Sequence, residues 1–185
     1  MRAAAWARSL PRPLITAWNV IGSAFGFGLA GYTGVLVTAT TIPVWQNARL
    51  LGGVFLASAA SASYGLLMLL LLRRGRAHSD PAVSKLARAD RFVMVLEFLL
   101  VVGLVVTLGA ASWPMTTGGF GLLFWLGAVG LGMLVPLLLH RVAPRGWDPH
   151  RREVVAAVCA LIGGLVLRFV VVMAPQYPAI SLWAL

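Results

Sequence analysis

The feature that leaves this chain the fewest options is a succession of five apolar runs. They fall at Leu14–Val37, Leu50–Leu72, Phe92–Ala111, Phe120–His140 and Val154–Ala174. Each is long enough to cross about 30 Å of hydrocarbon at about 1.5 Å per residue. A soluble domain keeps roughly a quarter of its residues charged, whereas here 11% are charged and 60% are hydrophobic. Too little charge is left to build a face toward water. The expected fold is therefore all-α, a polytopic transmembrane bundle of five helices. Residues 1–13 form a cytoplasmic N-terminal segment, 14–174 the bundle and 175–185 an outer tail.

Orientation follows from where the cations lie. The connection Arg73–Arg91 holds Arg73, Arg74, Arg76, Lys85, Arg88 and Arg91, and Arg141–Arg152 holds Arg141, Arg145, Arg151 and Arg152. Ser112–Gly119 and the tail beyond Ala174 hold no charge, and the first connection holds only Arg49. Short Lys/Arg-rich loops stay in the cytoplasm, so the N-terminus is expected inside and the C-terminus outside. Arg2, Arg8 and Arg12 before an apolar run imitate a signal peptide. The run is too long for that, and it reads as an uncleaved first span. The net charge of +10 does not point to nucleic acid, because the cations sit between apolar runs without a recognition motif. Anionic lipid head groups are their expected partners.

Several chemistries are excluded by residue supply. The single cysteine, Cys159, rules out disulfide frameworks and Cys-based metal or iron–sulfur sites. His78, His140 and His150 show no ligand spacing, and only His140 lies near an apolar run, which argues against an intrinsic bis-His haem. No GxGxxG, P-loop or HExxH pattern occurs.

Small residues mark expected helix contacts: Gly22, Gly26, Gly28, Gly31 and Gly34 in the first span, and Ser58, Ser61, Ala62 and Gly65 in the second. The serines fit close packing, with a polar pathway as the competing reading. Ionisable groups within spans are costly, and so they are functional candidates. Glu97 lies one to two turns into the third span, and Arg168 lies deep in the fifth. Arg49 and His140 sit at span ends, where interfacial placement or snorkelling suffices. Counting residues from the outer face puts Tyr32 about 8 Å deep and Arg168 about 9 Å deep, so the two can share a layer. Glu97 falls across the midplane and is not expected to pair with Arg168. A phenol, an arginine and Trp45 at the outer corner suit an amphipathic ring with polar oxygens and an apolar tail, which describes a quinone. Tyr32 fits a membrane-interface aromatic belt equally well.

The stretch Tyr32-Thr33-Gly34-Val35-Leu36, then Pro43-x-Trp45, then Gly53 through Ser61, resembles the polysulfide reductase membrane subunit family, of NrfD type. Ile162-Gly163-Gly164-Leu165-Val166-Leu167-Arg168, followed by Phe169 to Val172, resembles that family's last helix. The order and spacing match from the first span to the end. The resemblance implies an integral membrane subunit that binds quinone or quinol, menaquinone or ubiquinone, and carries no haem or iron–sulfur cluster of its own. It implies as partners an iron–sulfur electron-transfer subunit and a molybdopterin catalytic subunit, in the cytoplasmic (inner) membrane. The family's quinone pocket includes the tyrosine matching Tyr32. Trp45, Arg49 and Arg168 are expected to border that pocket, with Glu97, Ser58 and Ser61 on a proton route.

Family members have eight or more spans, and this chain matches the later five. A separate chain supplying the early helices, a truncated gene or a start placed too late would each account for that. The family's small-Gly-Gln ending reads Ala174-Pro175-Gln176 here. The reading reached is a quinone-interacting subunit of a respiratory oxidoreductase, not catalytic alone. Two alternatives stay open: a non-catalytic anchor or assembly subunit, and a small transporter. The transporter is the weaker alternative, since Pro136 is the only clear helix breaker within a later span.

Overall fold

The computed structural model describes residues 11–75, 80–141 and 146–176. Arg2, Arg8, Arg76, His78, Arg145 and the tail from residue 177 lie outside the described residues. The described residues are helical, with no strand among them. Five helices are long and apolar enough to cross a membrane.

Helix α1 (Arg12–Thr38) starts at a proline-bearing first turn, where the missing proline N–H costs nothing. Its C-terminal turns and the residues just after carry threonines whose hydroxyls turn back on the chain. Thr33, Thr38 and Thr40 Oγ1 donate to the carbonyls of Ala30, Val35 and Val37 at 2.9, 2.7 and 3.0 Å. A single helical turn, Pro43–Gln46, makes the corner into α2 (Leu51–Arg73).

Helix α3 (Pro81–Leu108) is longer than its apolar run. It begins at Pro81, not Phe92, so the expected Arg73–Arg91 loop shrinks to residues 74–80. The extra turns are held by Val83 and Ala87, which pack on Met68 and Leu72 of α2. Helix formation continues past the hydrocarbon because an amphipathic stretch finds a tertiary partner. A 3₁₀ turn, Gly109–Ser112, and a helical turn, Trp113–Thr116, lead into α4 (Gly118–Arg141). Gly118, at φ 63°, makes the reversal that other residues resist. Leu123–Leu134 of α4 winds as a π-helix, just before Pro136 removes a backbone donor. Helix α5 (Pro149–Met173) starts five residues before its apolar run. Asp148 caps it, Oδ1 accepting from His150 N at 3.3 Å.

Helix α2 is the hub and packs on α1, α3 and α5, while α4 packs mainly on α5. Backbones approach where side chains vanish. A Cβ on Gly34 would lie 2.6 Å from Gly52 Cα, and one on Gly132 would lie 2.6 Å from Gly163 Cα. Gly65 meets Ala157 O, which a Cβ would approach to 3.3 Å. Close approach of this kind is what holds helices together in lipid. The expected contact stripe of α1 is corrected here. Gly34 buries against α2, but a Cβ on Gly22, Gly26, Gly28 or Gly31 would meet nothing within 4 Å.

Candidate functional site

The chain has five acidic residues. Asp80 and Asp148 each precede a proline at a helix start. The other three, Asp90, Glu97 and Glu153, are all buried inside the bundle. Asp90 and Glu97 are seven residues apart on α3, so two helical turns put them on one face about 10.5 Å apart. That face meets α2, which presents Ser58 and Ser61, also buried.

The layer nearer the Trp45 corner holds Glu97, Ser58 and Arg168. Glu97 and Arg168 interact electrostatically, and the Ser58 hydroxyl lies against the Glu97 carboxyl. Arg168 Nη1 donates to Gly164 O at 3.2 Å, and its guanidinium carbon stands 5.9 Å from the centre of the Phe55 ring. Gly164 is what admits this arrangement: a Cβ there would fall 3.2 Å from Ser58 Oγ and 3.5 Å from Arg168 Nη1.

The second layer lies toward the Arg-rich end. His140, from the last turn of α4, stands between two carboxyls. Its Nε2 is 3.9 Å from Asp90 Oδ2, and its Nδ1 is 3.7 Å from Glu153 Oε1. Arg152 Nη2 is 3.6 Å from Glu153 Oε1, and the Ser61 hydroxyl lies against Asp90. Glu97 and Asp90 share one face of α3 two turns apart, so the two layers form one polar column. Four helices, α2 to α5, contribute to it. Among the described residues no cluster of three or more His, Cys, Asp or Glu side chains could hold a metal ion.

The structure revises which expected residues meet. Arg168 bonds back to Gly164 O and stands over Phe55, in the interior that Tyr32 does not face. Tyr32 is two residues from Gly34, which buries against α2. At about 100° per residue its side chain is turned nearly to the opposite side of α1. It is exposed, in a shallow groove of about 480 Å³ lined by Ala24, Phe25, Gly28 and Leu29 of the same helix. Trp45 is buried, and its Nε1 donates to Val171 O at 2.9 Å, which pins the corner between α1 and α2 to α5. Arg49 is exposed beside that corner. His140, at the end of its span, is packed inside the bundle, with only 5% of its side chain exposed.

Comparison with known proteins decides the family. The model of the family "Polysulphide reductase, NrfD" matches residues 2–179. The chain belongs to the NrfD family. Among curated relatives, the C chain of polysulfide reductase from Wolinella succinogenes is 33% identical over 180 residues, covering 92% of this chain and 56% of the relative. Protein NrfD of Escherichia coli is 30% identical over 168 residues, and the NrfD homolog of Haemophilus influenzae is 28% identical over 157. Each of those alignments covers 80% of this chain and 49% of the relative. The NrfD-family chain thus spans about half the length of the curated relatives it matches. No solved structure matches it.

Asp90, His140, Glu153 and Arg152 are members of the column that span counting misses. Asp90 falls in an expected loop, and Glu153 falls just outside an apolar run. The available signal is the acidic inventory itself. With so few carboxyls in a strongly basic membrane chain, the three not used at helix starts are the ones to follow inward.

Proposed function

We propose that this NrfD-family chain is a quinone-interacting membrane subunit of a respiratory oxidoreductase in the cytoplasmic membrane. The observation that carries the reading is the buried Glu97 and Ser58 beside the part-buried Arg168, in a family whose relatives include a component of polysulfide reductase. An arginine within a span costs about 2.5–3.5 kcal/mol on insertion scales, so a column that retains charges on three helices has a use for them. Quinone reduction consumes two electrons and two protons, and quinol oxidation releases them. Electrons pass to or from a partner iron–sulfur subunit, itself coupled to a molybdopterin catalytic subunit. Glu97, Ser58 and Ser61 carry protons.

Tyr32 marks the ring-binding end, on the exposed face of α1. That face is closed by further helices, supplied by another chain or another segment. Trp45 and Arg49 support the reading as the fixed corner and the exposed charge where the pocket meets the partner. A groove of about 690 Å³ at the same end, lined in part by Trp113, Thr117, Phe120 and Ala174, gives an apolar tail a place to lie. Phe120 contacts Phe169, the neighbour of Arg168 in sequence, with ring centroids 6.4 Å apart.

The test is quinol-dependent activity in membranes that contain the assembled complex. Tyr32→Phe removes one hydrogen bond worth about 0.5–1.5 kcal/mol, a loss of up to about tenfold in turnover at limiting quinol. A non-catalytic anchor is the second reading, favoured by the nearly bare surface of α1. Unchanged turnover in both Tyr32→Phe and Arg168→Leu decides for the anchor. Orientation is checked by labelling Ser84→Cys and Thr117→Cys, which should react from opposite sides of the membrane.

A further inference from the structure

The bundle interior carries more acid than base. Asp90, Glu97 and Glu153 are three buried carboxyls, and the cations set against them are Arg168 beside Glu97 and Arg152 beside Glu153. Two guanidiniums balance two carboxylates. The third negative charge, in lipid surroundings, is offset by a proton. His140 lies between two of the carboxyls, so that proton has an imidazole and a carboxyl to reside on. Asp90 Oδ1 and Ser58 Oγ, both more than nine-tenths buried, make no hydrogen bond of ordinary geometry. Each is a polar atom held in the column without a fixed partner. Water comes nearest to this end of the column at Arg152, whose side chain is one-fifth exposed and whose Nη2 lies 3.6 Å from Glu153 Oε1.

We propose that Asp90, His140 and Glu153 form a proton-exchange site that takes up protons from water at the Arg-rich end of the bundle and passes them through Ser61 and Ser58 to Glu97. This rests on the quinone reading for its purpose, since a quinone reacting near the outer end needs protons exchanged with one side. The groups facing the site are Ser58 and Ser61 from α2, Asp90 and Glu97 from α3, His140 from α4, and Arg152, Glu153 and Arg168 from α5.

The steps balance without any electron transfer. Glu153 takes a proton from water that enters beside Arg152 and gives it to one imidazole nitrogen, while the other nitrogen releases its proton to Asp90. Asp90 passes a proton to the Ser61 hydroxyl, which gives up its own toward Ser58 and Glu97. Reorientation of the ring and hydroxyls restores the starting state, and one proton has moved inward. Gaps of 3.7 and 3.9 Å at the imidazole exceed a direct hydrogen bond. A small rotamer shift or one bridging water closes each of them. Quinol oxidation runs the same steps in reverse.

The first arm of the test needs no quinone. The full chain in lipid nanodiscs is titrated from about pH 5 to about pH 8 and followed by infrared difference spectroscopy in water and deuterated water. The expected result is a protonated-carboxyl band that shifts in deuterated water, is lost in Asp90→Asn, moves in pH midpoint in His140→Gln and persists in Asp90→Glu. A band that Asp90→Asn and Glu153→Gln both leave untouched overturns the proposal, as does a band that fails to exchange.

The second arm uses the assembled complex in membranes. Losing a positioned proton-transfer group costs about 10²-fold or more. Asp90→Asn should slow turnover by that order with KM for quinol unchanged, and Asp90→Glu should recover most of it. Wild-type turnover in Asp90→Asn overturns proton delivery by this site and leaves the quinone reading intact. If the wild-type complex has no reaction with quinol, the quinone reading alone fails, and the infrared arm still decides the exchange site.

Discussion

Helices α1 and α5 are similar strings of apolar and small residues, yet they do opposite work. In α1 only Gly34 is fully buried, while Trp18, Phe25, Leu29 and Tyr32 lie open. In α5, Glu153, Gly163, Gly164 and Leu167 are buried, and Arg168 reaches across to α3. Both helices carry glycines at close spacing. Those of α5 meet backbone and side chains on α4 and α2, whereas a Cβ on Gly22, Gly26, Gly28 or Gly31 of α1 would meet nothing. A small-residue stripe is therefore permission for contact and not evidence of it. What converts permission into packing is a matching small surface on the neighbour, as Gly132 provides for Gly163 and Gly52 provides for Gly34.

The most severe way to break this comparison is to remove one charge from the α3–α5 layer. Glu97→Leu leaves Arg168 facing an apolar interior, at a cost of about 2.5–3.5 kcal/mol, and unfolding in mixed detergent micelles measures it. The double variant Glu97→Leu/Arg168→Leu should cost less than Glu97→Leu alone, because no unpaired charge remains. Additive losses would mean that the two residues do not act as a pair.

A glycine exchange sharpens the contrast directly. Gly163→Leu should destabilise the bundle by about 1–3 kcal/mol or more through the crossing with Gly132. Gly26→Leu should stay within about 0.5 kcal/mol in the isolated chain. If Gly26→Leu instead abolishes assembly with partner subunits while the chain itself folds normally, the bare face of α1 is a docking surface.

A smaller effect is expected at the corner that ties the first half to α5. Trp45→Phe keeps most of the ring area and loses the bond to Val171 O, worth about 0.5–1.5 kcal/mol. Thermal unfolding of the purified chain reads this change. Quinol turnover in the complex should fall by no more than stability accounts for, since the indole is a pin and not a ligand. A large turnover loss with unchanged stability would return Trp45 to the pocket.

The sequence and the structure part company at particular residues. All five spans are legible in the sequence, because length and hydropathy are properties of one helix at a time. Helix ends are less so: α3 runs eleven residues below its apolar segment because Val83 and Ala87 find Met68 and Leu72, a contact that no local pattern encodes. Glu97, Ser58 and Ser61 stand out as polar residues from their positions within apolar runs, and all three are buried in the structure. Asp90 and His140 are hidden by their positions at nominal span ends.

By itself the sequence determined that the chain is a five-helix membrane protein, and that Glu97 and Arg168 lie within its spans. Those are consequences of transfer free energy, which acts on each segment alone whatever its neighbours. Only the tertiary structure decided that Arg168 turns into the interior that holds Glu97 while Tyr32 faces away from it, and that His140 stands between Asp90 and Glu153. Rotation about a helix axis moves a side chain by about 100° per residue, and that rotation is fixed by packing between helices. Depth along the membrane can be counted from a sequence; the direction in which a residue faces cannot.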